Sequence, residues 1–361
     1  MPRHPSRNTP NGLLHLLIVL LAMAPAVASA CDICAVYLAT EVAEGRTGPR
    51  IGVAEQYTYF GTLQENGTEV PNPAGEHVYS SITQFLLGYQ FTDRIGAQLN
   101  IPLIARNFRR IEEDGRIGHG DETGIGDIAL LADGLAFSRV TEASVFRFSL
   151  LGGLKLPTGN PDRLGDELEE TEPATSTLAG AAQRLGSRLA FRPQHSTGGS
   201  TGGGGGGDDH HEESGIHGHD LALGSGSVDG IVGGSIYWSL DRFFMTAALQ
   251  YAIRTEGAFD YQFANDLMWD GGPGVHVLLD HRYTLSLQAV VSGETKGKDT
   301  QRGVTLDDTA ITALYVGPGV HFTWGTTLAA DFVVDLPAVQ NNTQLQIVPD
   351  YRFRGGMVWR F

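Results

Sequence analysis

From about residue 51 to the C-terminus, apolar side chains fall on every second position in stretches of roughly ten residues. Turn residues punctuate these stretches. A period of two is the signature of a strand with two unlike faces. Phe146, Phe148, Leu150, Gly152, Leu154 and Leu156 make one side of such a stretch, and Arg147, Ser149, Gly153 and Lys155 make the other. Leu328, Ala330, Phe332, Val334 and Leu336 stand against Thr327, Asp331 and Asp335. Tyr283, Leu285, Leu287, Ala289 and Val291 oppose Thr284, Ser286, Gln288 and Ser292, and Ile95, Ala97, Leu99, Ile101 and Leu103 oppose Gln98 and Asn100. Tilted strands of about 9–11 residues cross a bilayer. Strands of a soluble sandwich average about half that length.

The pattern predicts strands over 51–61, 78–92, 95–108, 124–138, 143–157, 222–240, 243–256, 263–280, 283–293, 309–324, 327–339 and 347–361. Their connections are of two kinds. Thr92-Asp93-Arg94, Leu240-Asp241-Arg242, Asp280-His281-Arg282 and Gly325-Thr326 are tight, and Ser138 to Glu142 is slightly longer. Between them fall the longer links 62–77, 109–123, 158–221 and 294–308. Short turns alternating with long loops are the asymmetry of an outer-membrane barrel, and an even strand count puts both termini on the periplasmic side. The expected fold is all-β: an antiparallel transmembrane β-barrel of about 12 strands with one long disordered extracellular loop. Tyr89, Phe91, Phe137, Tyr237, Trp238, Phe243, Tyr283, Phe322, Trp324, Trp359 and Phe361 cluster where an aromatic girdle belongs at the turn side. The ending Tyr351-x-Phe353-x-Gly355-x-Met357-x-Trp359-x-Phe361 resembles the terminal strand read by the barrel-assembly machinery, which makes that machinery an expected partner beside outer-membrane lipid. Arg352, Arg354 and Arg360 on its other side belong in a wet lumen.

The first residues read differently. Arg3 and Arg7, the apolar run Leu13 to Ala24 and Ala28-Ser29-Ala30 have the layout of a signal peptide over 1–30. The run is too short for a spanning helix, which needs about 20 residues. A periplasmic segment over 31–50 would follow, and the barrel would occupy 51–361. The formal charge of −16 disfavours nucleic acid as a partner, since phosphate binding needs a basic face. Only two cysteines are present, Cys31 and Cys34, at the start of the mature chain. A disulfide, a half-complement of metal ligands and lipid attachment at Cys31 are its three readings, in that order.

Three local patterns resemble the outer-membrane transporters named for the MetA pathway of phenol degradation: Thr123-Gly124-Ile125-Gly126-Asp127-Ile128, Leu150-Leu151-Gly152-Gly153-Leu154-Lys155-Leu156-Pro157-Thr158-Gly159, and Leu223-Gly224-Ser225-Gly226-Ser227-Val228-Asp229. The resemblance spans most of the barrel, though its motifs are short. It implies an outer-membrane transport barrel without catalytic residues. The same patches also read as strand starts whose glycines set backbone geometry and register.

The polar faces supply candidate lumen residues: Gln98, Asn100, Asp127, Arg147, Lys155, Asp229, Arg254, Asp331, Asp335, Arg352 and Arg354, with Gln84, Asp133, Gln250 and Gln288 beside them. Their mixed signs argue for ion pairs across a narrow, partly filled interior in place of a single-sign filter. In the loop 158–221, an acidic stretch (Asp166, Glu167, Glu169, Glu170, Glu172) precedes poly-glycine at 202–207, which cannot offset its chain entropy by burial. A cluster around His210, His211, His217 and His219 follows, and with Cys31 and Cys34 it raises capture of a divalent metal as an alternative to a silent surface loop. His276 and His321 read as single lumen or girdle residues. No zincin or phosphate-loop motif occurs, which argues against an enzyme. The expected function is passive movement of small solutes, hydrophobic or aromatic compounds among them, through the outer membrane without a cofactor. A metal-binding or metal-efflux-associated barrel and a non-transporting surface scaffold are the alternatives.

Overall fold

A computed structural model describes residues 47–112, 115–167 and 214–361. Twelve wall strands follow one another in chain order: β1 (Gly48–Glu65), β2 (His77–Gln90), β3 (Ile95–Ile111), β4 in two halves (Ile117–Ile125 and Ile128–Val140), β5 (Ser144–Leu156), β6 (Asp229–Leu240), β7 (Phe243–Ile253), β8 (Asp266–Leu279), β9 (Tyr283–Lys296), β10 (Ile311–Trp324), β11 (Leu328–Asn342) and β12 (Leu345–Arg360). Each pairs antiparallel with its neighbour, and β12 pairs with β1 from Arg50↔Arg360 to Glu65↔Leu345, so the sheet closes on itself. Closure joins the first strand to the last, so that ladder bonding takes the place of water around the ring.

The alternation read from the sequence sorts inside from outside. Phe85, Leu87, Leu130, Leu150, Leu154, Leu287, Phe332, Leu336 and Met357 lie exposed on the outer surface, while Gln84, Asn100, Lys155, Asp229 and Asp335 are buried within. An exposed apolar belt of this extent is unstable in water and at home in lipid. The expected girdle is present at the turn end: Phe91, Phe243, Trp324 and Phe361 are exposed, and Trp324 packs edge-on against Trp359. Tyr237 is a correction. Its neighbour Trp238 takes the outward position, so parity turns Tyr237 inward, where its hydroxyl meets His276 Nε2 at 3.2 Å. The outer belt is interrupted where Glu55 faces out between Ser81 and Thr83, and both hydroxyls donate to its carboxylate, Ser81 at 2.6 Å.

Two boundaries differ from the sequence reading. β4 starts at Ile117 and breaks at Gly126-Asp127, because Asp127 leaves the ladder to bind the loops beside it. β6 begins only at Asp229, so 222–228 is not strand. It belongs instead to a segment folded into the barrel, 214–228, which contains one short helix, α1 (Gly218–Leu221). The described ends of the expected surface loop, 158–167 and 214–221, thus pack inward, and its centre, 168–213, lies outside the described residues. The physical reason is interior width. A ring of twelve strands is wider than its own side chains can fill, and Ile216, Leu221, Ala222 and Leu223 supply apolar surface that water would otherwise face. Ile216 and Leu221 join Leu63, Val78, Phe108 and Ile347 in one cluster, while Leu223 packs on Ile82 and Ile104. This segment is the plug.

Toward the loop end the wall relies on the plug. The β11–β12 ladder runs from Leu328↔Trp359 to Asp335↔Arg352. Beyond it, the Ile347 N–H donates 2.8 Å to the carbonyl of Gly215, and the Gln340 side chain donates 2.6 Å to the Pro349 carbonyl.

Candidate functional site

The lumen holds three polar assemblies. The first ties the plug to the wall. Lys155 on β5 lies 3.1 Å from Asp127 and 3.0 Å from Asp229, and its ammonium donates 3.2 Å to Ser225 Oγ of the plug. Asp127 also accepts from the Gly159 N–H, the Ser225 N–H and the Ser225 hydroxyl, at 3.0, 2.9 and 2.7 Å. Arg254, just past β7, bridges Asp229 at 2.8 Å and Asp266 on β8. The side chains of these four sequence candidates (Asp127, Lys155, Asp229, Arg254) are at most 4% exposed, and they serve one another and the plug in preference to an open channel.

The glycines of the same motifs explain why the neck of the plug sits there. A Cβ on Gly159 would lie 2.4 Å from the Leu223 carbonyl oxygen, and one on Gly224 would lie 2.5 Å from the Gly159 carbonyl carbon. Two backbones therefore touch, which only glycine allows. Leu-Pro-Thr-Gly, Gly-Asp and Gly-Ser-Gly-Ser-x-Asp converge on one junction.

The second assembly lines the opposite wall. Asp335 on β11 accepts from Arg352 Nε at 3.1 Å, from Arg354 Nε at 2.6 Å and from Ser292 Oγ at 3.0 Å. Arg352 continues to Glu294 at 2.8 Å and lies 4.3 Å over the ring of Tyr315, whose hydroxyl donates to Glu294. The third lies toward the turns. His276 Nδ1 is bonded to Ser286 Oγ at 2.8 Å, His321 Nε2 to Gln288 Oε1 at 2.7 Å, and Gln98 donates to Asn100 at 2.6 Å. Arg50 crosses to Asp133 in this half, and Arg147 and Asp331 face inward here too.

Of the candidate metal ligands, Cys31, Cys34, His210 and His211 lie outside the described residues. His217 and His219 lie in the plug with rings stacked 5.6 Å apart, His217 beside Asp308 and His219 beside Glu167. Among the described residues no group of three or more His, Cys, Asp or Glu is arranged to hold a metal. The His219 ring is paired with Glu167, and the His217 ring lies 3.5 Å from an Asp308 carboxylate oxygen. Burial works against a charged His219, but Asp220 and Glu167 outweigh it and push its pKa up to about 10. Burial likewise works against the Glu167 carboxylate, and the charge of His219 overrides it and lowers the pKa to about 2. Glu76, at the mouth of β2, accepts from Ser214 Oγ at 2.7 Å and the Gly215 N–H at 3.1 Å, while burial pushes its carboxyl up.

Between plug and wall lies a cavity of about 50 Å³. Phe60, Val78, Ile311, Ile347 and Pro349 give it apolar sides, and Thr58, Ser80, Arg106, Glu294, Lys296 and Arg352 give it polar ones. Arg106, Glu294 and Lys296 were absent from the sequence candidates. The signal was there: Arg106 has the inward parity of Gln98 and Asn100, and Glu294 and Lys296 continue the inward parity of β9 past 293, where the expected strand stopped.

A closed ring of strands with an apolar exterior, a polar interior and a chain segment folded inside defines the class, a plugged transmembrane-type β-barrel. The chain has the fold of an outer-membrane channel from Pseudomonas putida F1, with a TM-score of 0.52 at 13% identity over 90% of this chain and 100% of that one. Looser likenesses are the β domain of a Bordetella autotransporter (TM-score 0.39, 9% identity, 88% and 100% covered) and a P. putida toluene transporter (TM-score 0.34, 10% identity, 87% and 90% covered). No protein-family model and no curated protein matches the sequence.

Proposed function

We propose that the chain is an outer-membrane channel that lets small solutes pass down their gradient, with the long loops outside and both termini in the periplasm. The observation that carries this reading is the cavity between plug and wall inside a closed barrel, lined partly by apolar and partly by polar side chains. A small amphipathic solute, with an apolar body and one polar group, matches that lining better than a large hydrophilic one. The plug makes the channel selective by size, since its apolar anchors (Ile216, Leu221) and its polar neck at Ser225 hold it against opposite sides of the wall. No cofactor enters this reading. Liposome swelling with solutes of graded size, paired with planar-bilayer conductance, is the test. Swelling with small solutes that falls off steeply with size is expected. Absence of both swelling and conductance from folded barrels overturns the reading and leaves the surface scaffold.

A further inference from the structure

The cations that line the plug cavity are not equivalent. Arg352 is paired with Glu294 and Asp335, and Lys296 with Asp299 at 2.6 Å. His219 is paired with Glu167. Arg106 on β3 differs. It is 3% exposed, and its guanidinium donates only to neutral oxygens: Nη1 to the Ala222 carbonyl at 2.9 Å and Nε to Ser80 Oγ at 3.5 Å. Its Nη2 is buried and has no hydrogen-bond partner among the described residues. No carboxylate lies within ion-pair distance of Arg106 among those residues, although the chain carries 41 acidic side chains and the other cations lining this cavity are paired with them.

A buried guanidinium without a counter-charge is costly, because removing it from water forfeits solvation that only an anion restores in full. Its fork geometry suits a planar carboxylate, which can accept two parallel N–H bonds. The hydroxyls of Thr58 and Ser80 line the same cavity and can donate to the same anion. Phe60, Val78 and Ile347 offer apolar contact on the adjoining side.

We infer that Arg106, with Thr58 and Ser80, forms a subsite for the carboxylate of a small monocarboxylic acid whose apolar body rests on Phe60, Val78 and Ile347. The inference rests on the channel reading for its physiological sense, but a binding measurement tests it independently. Benzoate, benzyl alcohol and benzylammonium share a ring and differ in the charge of one group, so they serve as probes in titrations of the folded, detergent-solubilised protein. Benzoate is expected to bind at least about tenfold more tightly than benzyl alcohol, and benzylammonium not at all. Arg106→Gln is expected to erase the difference between benzoate and benzyl alcohol, and Arg106→Lys, which keeps the charge but loses the fork, to retain part of it. Heat-modifiable migration on gels confirms that each variant is folded. Should Arg106→Gln fail to fold, Thr58→Val with Ser80→Ala removes the hydroxyl donors and should weaken benzoate selectively. Equal affinity of wild type for benzoate and benzyl alcohol, or undiminished benzoate preference in folded Arg106→Gln, overturns the subsite. Absence of both swelling and conductance from folded wild type overturns the channel reading instead.

Discussion

Replacing Lys155 by methionine tests the neck of the plug most directly. The Lys155 side chain is 4% exposed, and those of Asp127 and Asp229 are 3% and 0% exposed. Methionine keeps the stem and removes the only described cation within ion-pair distance of Asp127. Removing one partner of a buried ion pair costs about 3–5 kcal/mol. Asp127 retains the three donors from Gly159 and Ser225, and Asp229 retains Arg254, so the lower end, about 3 kcal/mol, is the expected loss. Urea-induced unfolding in lipid vesicles, followed through the fluorescence of the four tryptophans, measures it. Asp127→Asn alone and combined with Lys155→Met completes a double-mutant cycle. The double variant should recover a sizeable part of the single losses, because it no longer buries an unpaired charge. A Lys155→Met barrel within about 0.5 kcal/mol of wild type, the range typical of surface changes, refutes the reasoning, and so does strict additivity in the cycle.

Other perturbations read the same plug. The Glu167–His219 pair makes its docking pH-dependent. His219 holds its proton more tightly when docked (about 10 against 6.5), so its contribution is complete below pH 6.5 and is lost as pH rises toward 10. Glu167 is more acidic when docked (about 2 against 4.5), so its contribution is complete above pH 4.5 and is lost as pH falls toward 2. Single-channel conductance should therefore be lowest between these limits, and His219→Gln should abolish the alkaline rise; an unchanged profile in that variant counts against the pairing. Gly224→Ala forces a Cβ to 2.5 Å from the Gly159 backbone and should cost about 1–3 kcal/mol as an overpacking change, visible as faster proteolysis within the plug. Leu221→Asp puts a carboxylate in the fully buried apolar cluster and should undock the plug, raising conductance while leaving heat-modifiable migration intact.

The ring was legible because a barrel strand has one lipid face and one wet face, and residue parity alone sorts them. Phe332 and Asp335 fell on the correct sides without any knowledge of neighbours. The plug was not legible for the same reason. Ile216, Leu221 and Leu223 have no period that distinguishes a chain folded inside a barrel from a loop outside it, and the adjoining histidines drew the reading toward metal. What buries them is the empty width of a twelve-strand interior, a property of the closed ring. The motif residues were read as lumen ion pairs or as strand starts that set register, without the inner segment they share. Asp127, Lys155 and Ser225 are far apart in the chain, and only the contact of Gly159 with Gly224 brings them to one junction. Glu294 was missed because the expected strand stopped at 293, one residue short of it, whereas Arg106 lay inside the expected strand 95–108 on its inward parity and was passed over.

The bond from Ile347 to Gly215 has a consequence for the wall. The plug is encoded between β5 and β6, yet it contacts the last strand to be made, close to where that strand meets the first. The segment fills the gap that β11 and β12 leave between them past Asp335 and Arg352. Cutting it out would therefore not leave a wider but otherwise intact pipe. It would leave a slit in the wall where the last two strands part.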